Sequence, residues 1–145
     1  MRVVVAGDDD QAFYLAGSLL ESDNEVTCVC RSPRRARVFA NAYDAQVMEG
    51  DPTRRFVLDD VGLEPDDIFV ALLPSDADGF VACLLAHEAY GVKRTICIVE
   101  NPRNVTLFES LGIWRALSSA YLLAHAMGQA STPEDMTAIL QRHDG

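Results

Sequence analysis

Basic residues are scarce in this chain. Twelve Lys and Arg face 22 Asp and Glu, a formal net charge of −10 across 145 residues. That balance argues against nucleic acid or an anionic membrane surface as a direct partner, since both are polyanions. Long apolar runs are missing too: none approaches the roughly 20 residues that cross a bilayer, so direct membrane insertion is not expected. No secretory leader is expected either, because Met1-Arg2 leads straight into a short strand pattern and then acids. The four cysteines, Cys28, Cys30, Cys83 and Cys97, make no Cys-x-x-Cys and sit in apolar runs. They read as reduced, buried thiols of a cytoplasmic protein rather than a redox or metal set. Internal repeats, low-complexity stretches and linkers are lacking before the last fifteen or so residues. What remains is an ordinary globular composition, 49% hydrophobic and 23% charged, long enough for one domain with a sizeable core.

The apolar pattern alternates between strand-like and helix-like stretches. Strands are expected at Arg2 to Ala6, Glu25 to Cys30, Ala45 to Met48, Ile68 to Leu73, Arg94 to Val99 and Ile113 to Leu117. The first has no polar alternation and so should be buried on both faces, as in a parallel sheet. Helices are expected at about Asp10 to Glu21, Pro33 to Tyr43, Pro52 to Val61, Ala77 to Tyr90, Pro102 to Leu111 and Ala120 to Ala130. Ser32-Pro33 gives a cap and a first helical proline. Phe56, Leu58 and Val61 are the apolar positions of the third helix. The fourth is apolar nearly all round, which points to burial on more than one side and to a subunit interface. Thr132-Pro133-Glu134 opens one more short helix ending near Arg142.

Strict alternation with right-handed crossovers implies an α/β, Rossmann-like, doubly wound parallel sheet of six strands in order 3-2-1-4-5-6, with helices on both faces. The ligand crevice then lies at the carboxyl ends of the first and fourth strands. The domain spans 1–130 and a short helical tail spans 131–145.

The turn after the first strand is where a Gly-x-Gly-x-x-Gly phosphate loop would lie. It reads Gly7-Asp8-Asp9-Asp10-Gln11-Ala12. Gly7 is the first glycine and Ala12 an accepted third, but Asp9 replaces the glycine that lets the backbone approach a pyrophosphate. An aspartate there suits the helix N-terminus and takes the place of a phosphate. Either the acids form a solvated turn capping the helix, or they form a cation site that reaches a ligand through Mg²⁺ or Ca²⁺. The second strand ends in Cys30 instead of the Asp or Glu that bonds an NAD ribose. Arg31, Arg34 and Arg35 follow, either a 2′-phosphate pattern or an exposed helix face. Catalytic groups are not in evidence: His87, His125 and His143 fall on helices away from these turns, and Ser75-Asp76 has no histidine partner in view.

Read in order, these strings resemble the N-terminal nucleotide-binding domain of RCK proteins, regulators of potassium conductance, also called TrkA-N or KTN domains. The resemblance runs from Met1 to about Ala130. It is carried by Met1–Gly7 and the next helix, Glu25-Val26-Thr27 into Arg31-Ser32-Pro33, and Gly50-Asp51-Pro52-Thr53. Ala71-Leu72-Leu73-Pro74-Ser75-Asp76, Val81 to Ala86, Gly91 to Ile96, Asn101-Pro102-Arg103-Asn104 and Tyr121 to Ala126 continue it. The family resemblance implies a non-catalytic cytoplasmic subunit regulating a membrane potassium channel or transporter, assembled as a homodimer or higher oligomer. NAD(H) or an adenine nucleotide (ATP, ADP) would be the ligand. It implies Gly7, Asp9, Asp10, Gln11 and Ala12 at the phosphate turn, Cys30 and Arg31 at the ribose, and Asp51 near the adenine. Leu73 and Ser75 would form the floor, and Glu100 and Arg103 the mouth. The glycine turn and the end of the second strand depart from the family pattern, so nucleotide binding is expected to be altered or lost. The family's C-terminal ligand-binding lobe is not expected within this chain. A ligand-free structural partner of such an assembly and an NADP-dependent oxidoreductase are the alternatives.

Overall fold

Five consecutive residues, Arg-Val-Val-Val-Ala, make β1 (Arg2–Ala6). β-Branched side chains suit a pleated backbone, and the lack of alternation suits burial on both faces. A computed structural model of the chain describes residues 1–128. In it, β1 is followed by α1 (Asp10–Glu21), β2 (Glu25–Cys30), α2 (Pro33–Ala42), β3 (Gln46–Glu49) and α3 (Arg55–Val61). β4 (Ile68–Ala71), α4 (Asp76–Tyr90), β5 (Arg94–Val99), α5 (Asn104–Ser110), β6 (Arg115–Ser118) and α6 (Ser119–Gly128) complete it. The strands form one parallel sheet in the order β3-β2-β1-β4-β5-β6, the expected doubly wound arrangement.

The two faces of the sheet sort the residues of β1. Val3 and Val5 join Cys28, Cys30, Phe39 and Ala16 under α1 and α2. Val4 and Ala6 join Leu58, Phe69, Ala82, Cys83 and Phe108 under α3, α4 and α5. Adjacent residues of one strand therefore anchor opposite layers, as the two-residue period of a strand requires. All four cysteines are buried and unbridged. Burial pushes the Cys28 thiol up to about 11 and the Cys30 thiol up to about 12, so both are neutral at physiological pH.

Several element limits differ from expectation for local reasons. α3 starts at Arg55 rather than Pro52, because Asp51 draws residues 52–54 into a turn: its Oδ1 accepts from Thr53 N at 2.9 Å, and its carbonyl from Arg54 N at 3.0 Å. The inward positions of α3 are Val57, Leu58 and Val61. Phe56, read with Leu58 and Val61 as an apolar position of this helix, is 69% exposed. On a helix, 57, 58 and 61 share one face and 56 lies off it. β4 closes at Ala71 before Pro74, which has no N–H for a ladder. α5 begins at Asn104, after the turn Asn104 N to Asn101 carbonyl at 2.9 Å. α4 turns Gly79, Ala82, Cys83 and Ala86 inward and leaves Val81 exposed. Residues 129–145, including the expected last helix, lie outside the described residues.

The amino end of the sheet is closed by a charged knot. Arg2 donates from Nη2 to Asp67 Oδ2 at 2.6 Å and from Nε at 3.2 Å, and also reaches the carbonyls of Val61 and Gly62. Hydrogen bonding to Asp67 raises the arginine pKa against the opposing pull of burial. This knot lies at the end of the sheet opposite the crevice and is structural.

Candidate functional site

The strand order reverses between β1 and β4, and their carboxyl ends part there to leave a crevice. Gly7 occupies the point of divergence. Its N–H donates to the Val29 carbonyl at 3.0 Å, and a Cβ on it would stand 2.3 Å from the Leu72 carbonyl oxygen. Only glycine allows the two strand ends to approach so closely. Beside it lies a hollow of about 170 Å³ lined by residues that include Asp9, Gln11, Leu73, Pro74 and Glu100. Larger hollows lie elsewhere, about 300 Å³ between α5, β6 and α6 and about 560 Å³ beside Tyr14 and Tyr43. The strand topology, rather than size, makes the crevice the candidate.

The three acids after Gly7 go three ways. Asp8 Oδ2 accepts from Ser32 N at 2.9 Å, placing a carboxylate at the N-terminus of α2. Asp9 is the N-cap of α1, its Oδ1 accepting from Ala12 N at 2.9 Å. Asp10 Oδ1 lies 3.2 Å from Arg35 Nη2, and Arg35 Nε donates to the Asp8 carbonyl at 2.7 Å. The run is thus both a helix cap and a clasp between the first two βα turns. Among the described residues no group of three or more His, Cys, Asp and Glu is placed to hold a metal. Gln11 is exposed and Ala12 fully buried, the small residue packing α1 against the sheet.

At the end of β2, Cys30 is wholly buried and its Sγ faces the Gly7 carbonyl at 4.0 Å. Arg31 reaches out instead. Its Nη2 lies 3.1 Å from Asp51 Oδ1 and 3.1 Å from Asp78 Oδ2. Burial disfavours the charged arginine, but the bonds to Asp51 and Asp78 outweigh it and raise its pKa. Burial likewise works against a charged Asp51, yet the two bonds from Thr53 and the contact with Arg31 hold its carboxyl below the usual range. Arg35 also lies over the Phe39 ring, 5.6 Å from its centre.

At the end of β4, Leu73 is buried and Ser75 caps α4, its Oγ accepting from Asp78 N at 3.4 Å. Asp76 ties this turn to the loop after β5. Its oxygens accept from Glu100 N at 2.8 Å, Asn101 N at 3.1 Å and Asn104 Nδ2 at 2.9 Å. Those donors outweigh burial and keep the Asp76 carboxyl below its ordinary range. Arg103 is exposed on that loop, its N–H donating to Asn101 Oδ1 at 3.0 Å.

The fold therefore gathers Asp9, Gln11 and Leu73 around one hollow, sets Gly7 against Leu72 and pairs Arg31 with Asp51. Cys30 offers no side chain to the surface. Asp78 escaped sequence reasoning as a crevice residue, and the partners of Asp8, Arg35 and Asp76 were not foreseen. Their partners lie 24 to 47 positions away, and no local pattern announces such pairs. His87 holds the Val92 carbonyl at 2.9 Å by Nδ1, and His125 stacks on Tyr121 with centres 6.1 Å apart. His87 and His125 do not line the crevice hollow.

The family model described as the TrkA-N domain matches residues 3–119. The chain is 29% identical over its whole length to the Trk system potassium uptake protein TrkA of Mycobacterium tuberculosis, and spans 66% of that protein. In fold it is similar to the NAD(P)-binding domain of an exopolyphosphatase-related protein from Archaeoglobus fulgidus, with TM-score 0.75 and 16% identity over 86% of this chain and 92% of that one. It is also similar to the GsuK channel bound to NAD, with TM-score 0.68 and 22% identity over 80% of this chain and 21% of that one.

Proposed function

The chain belongs to the TrkA-N domain family, and from that premise we propose that it is a non-catalytic regulatory domain of a potassium channel or uptake system. It works at the cytoplasmic side of a membrane partner, as a homodimer or higher oligomer, with altered nucleotide binding. The relative named for potassium uptake and the fold likeness to a channel support the partner class. Among the described residues no helix is long and apolar enough to cross a membrane, which fits a role through a separate membrane subunit.

The observation that carries the altered site is the Asp8–Asp9 arrangement. Asp9 takes an N–H group at the start of α1, where a diphosphate would otherwise be received, and Asp8 takes one at the start of α2. Ligands of the NAD(H), ADP and ATP kind must displace or accommodate them. Like charges 4 Å apart repel by about 1 kcal/mol in water and by more at lower effective dielectric. A ligand-free structural role is the second reading, favoured by α6. None of its ten residues is buried, and Tyr121, Leu122, Leu123 and Met127 are exposed.

Thermal unfolding against ATP, ADP, AMP, NAD, NADH and NADPH, each with and without Mg²⁺ or Ca²⁺, separates the two readings. A native-state ligand at a hundred times its Kd adds about 2.7 kcal/mol, a shift of several degrees for a domain of this size. We expect a shift with at least one nucleotide. No shift with any of them assigns the protein to the structural role.

A further inference from the structure

A hollow of about 560 Å³ lies where α1 meets Tyr43 at the end of α2, apart from the crevice. Tyr14, Gly17, Ser18, Leu20, Glu21 and Tyr43 line it. Gly17 is what admits Tyr43: a Cβ there would stand 2.6 Å from the phenol oxygen and 3.0 Å from Cζ. Glycine weakens a helix interior, and here the tyrosine ring takes the room it leaves. The phenol proton is already committed, since Tyr43 Oη donates to the Phe13 carbonyl at 2.8 Å. Phe13 also gathers both tyrosines, its ring centre 4.7 Å from that of Tyr43 and 6.1 Å from that of Tyr14. Two tyrosine rings thus stand at one hollow, and Tyr14 is 75% exposed.

The one charged residue of the lining is Glu21. It ends α1, where the helix dipole is negative and favours a cation. No basic residue lies in that last turn, and among the described residues Glu21 makes no ion pair. Tyr14, Ser18 and Glu21 follow one another along one face of α1, at spacings of four and three. Burial first, and then Cys28, Tyr14 and Glu21, push the Tyr43 phenol up, so the acid is felt across the hollow. An uncompensated anion beside electron-rich rings is the chemistry that receives a cation. A guanidinium answers both, because it stacks on an aromatic face and pairs with a carboxylate. We infer that this hollow is a docking site for an arginine on a basic segment of a partner protein, its guanidinium over Tyr14 and against Glu21. The net charge of −10 draws such a segment from a distance, and makes a second copy of the chain the poorer occupant of this face.

The test is an NMR titration of the isotope-labelled full chain with a blocked glycine peptide carrying one arginine, and with the same peptide carrying lysine or glutamine instead. The expected result is saturable shifts at the Gly17 and Ser18 amides with the arginine peptide, weaker binding with lysine and none with glutamine. Tyr14→Ala and Glu21→Gln should each weaken the arginine peptide by about two- to five-fold, the range of an exposed cation–ring contact and of an exposed ion pair. Glu88→Gln makes the same change of charge on α4, which packs on the other face of the sheet, and should leave binding unchanged. Tyr14, Glu21 and Glu88 are all exposed, and unchanged melting of the variants checks their folding. Equal binding of the lysine or glutamine peptide, equal weakening by Glu88→Gln, or indifference to Tyr14→Ala overturns the inference. The same shifts on concentrating the chain alone would make a second copy the occupant and overturn it as well, as would the absence of any saturable shift.

Discussion

Gly7 is fixed by a backbone contact rather than by a side chain. A methyl group there would meet the Leu72 carbonyl at 2.3 Å, and backbone atoms cannot swing aside as a side chain can. Gly7→Ala should cost about 2–3 kcal/mol, the upper range of overpacking, read as a lower urea midpoint with an unchanged slope. Asp76 is fixed by hydrogen bonds, accepting three that join two crevice loops. Its carboxyl is held below the ordinary value in the fold. Its contribution is therefore present above the unfolded value, about 3.9, and is lost as pH falls through the lower folded value. Asp76→Ala should lose about 1 kcal/mol at pH 7, after allowance for solvent screening. The difference from the native protein should vanish in strong acid, as checked by denaturant titration at pH 7 and at progressively lower pH.

Among the elements, α1 and α2 owe their N-termini to acids and a hydroxyl from the crevice turns. Asp9 caps α1, and Ser32 caps α2, its Oγ accepting from Arg35 N at 3.2 Å. Both helix starts are thus bonded to the chain itself. The opposite end of the sheet shows the same economy of partners. Asp67, 6% exposed, accepts from Arg2 and from Glu64 N at 2.8 Å, joining β1 to the loop before β4. Asp67→Ala would strand the Arg2 guanidinium beside the Val61 and Gly62 carbonyls. The expected loss is about 2–3 kcal/mol, seen as a fall in Tm with nucleotide response kept, because the knot is remote from the crevice.

At the scale of the molecule, the sheet is covered on both faces, while one edge region is not covered among the described residues. Leu107, Leu111, Trp114, Leu117 and the outer residues of α6 leave large apolar side chains in solvent around α5, β6 and α6. Monomeric proteins rarely expose so many together. Light scattering at micromolar protein should return at least twice the mass of one chain. A single-chain mass would remove the proposed homodimer.

The order of strands and helices was legible in the sequence because β1, β2 and β4 carry nearly unbroken apolar runs, β5 and β6 alternate, and the turns carry glycine, proline or acids. Gly7 after β1, Ser32-Pro33 before α2 and Gly91 after α4 mark their turns by local sterics and local hydrogen bonds. Those forces act within a few residues. Family resemblance and the displaced glycine motif were legible for the same reason. What Asp8 and Asp10 bond to was not. Asp8 meets Ser32, Asp10 meets Arg35, and Arg31 meets Asp78 only after β2 and β4 have been laid on either side of β1. Phe56 points outward because the phase of α3 is set by packing on the sheet. Short-range periodicity along the chain is enough to specify the doubly wound fold and the place of the crevice. Which charges face one another across it follows from the packed strands and helices, since electrostatic pairing depends on distance in space and not along the chain.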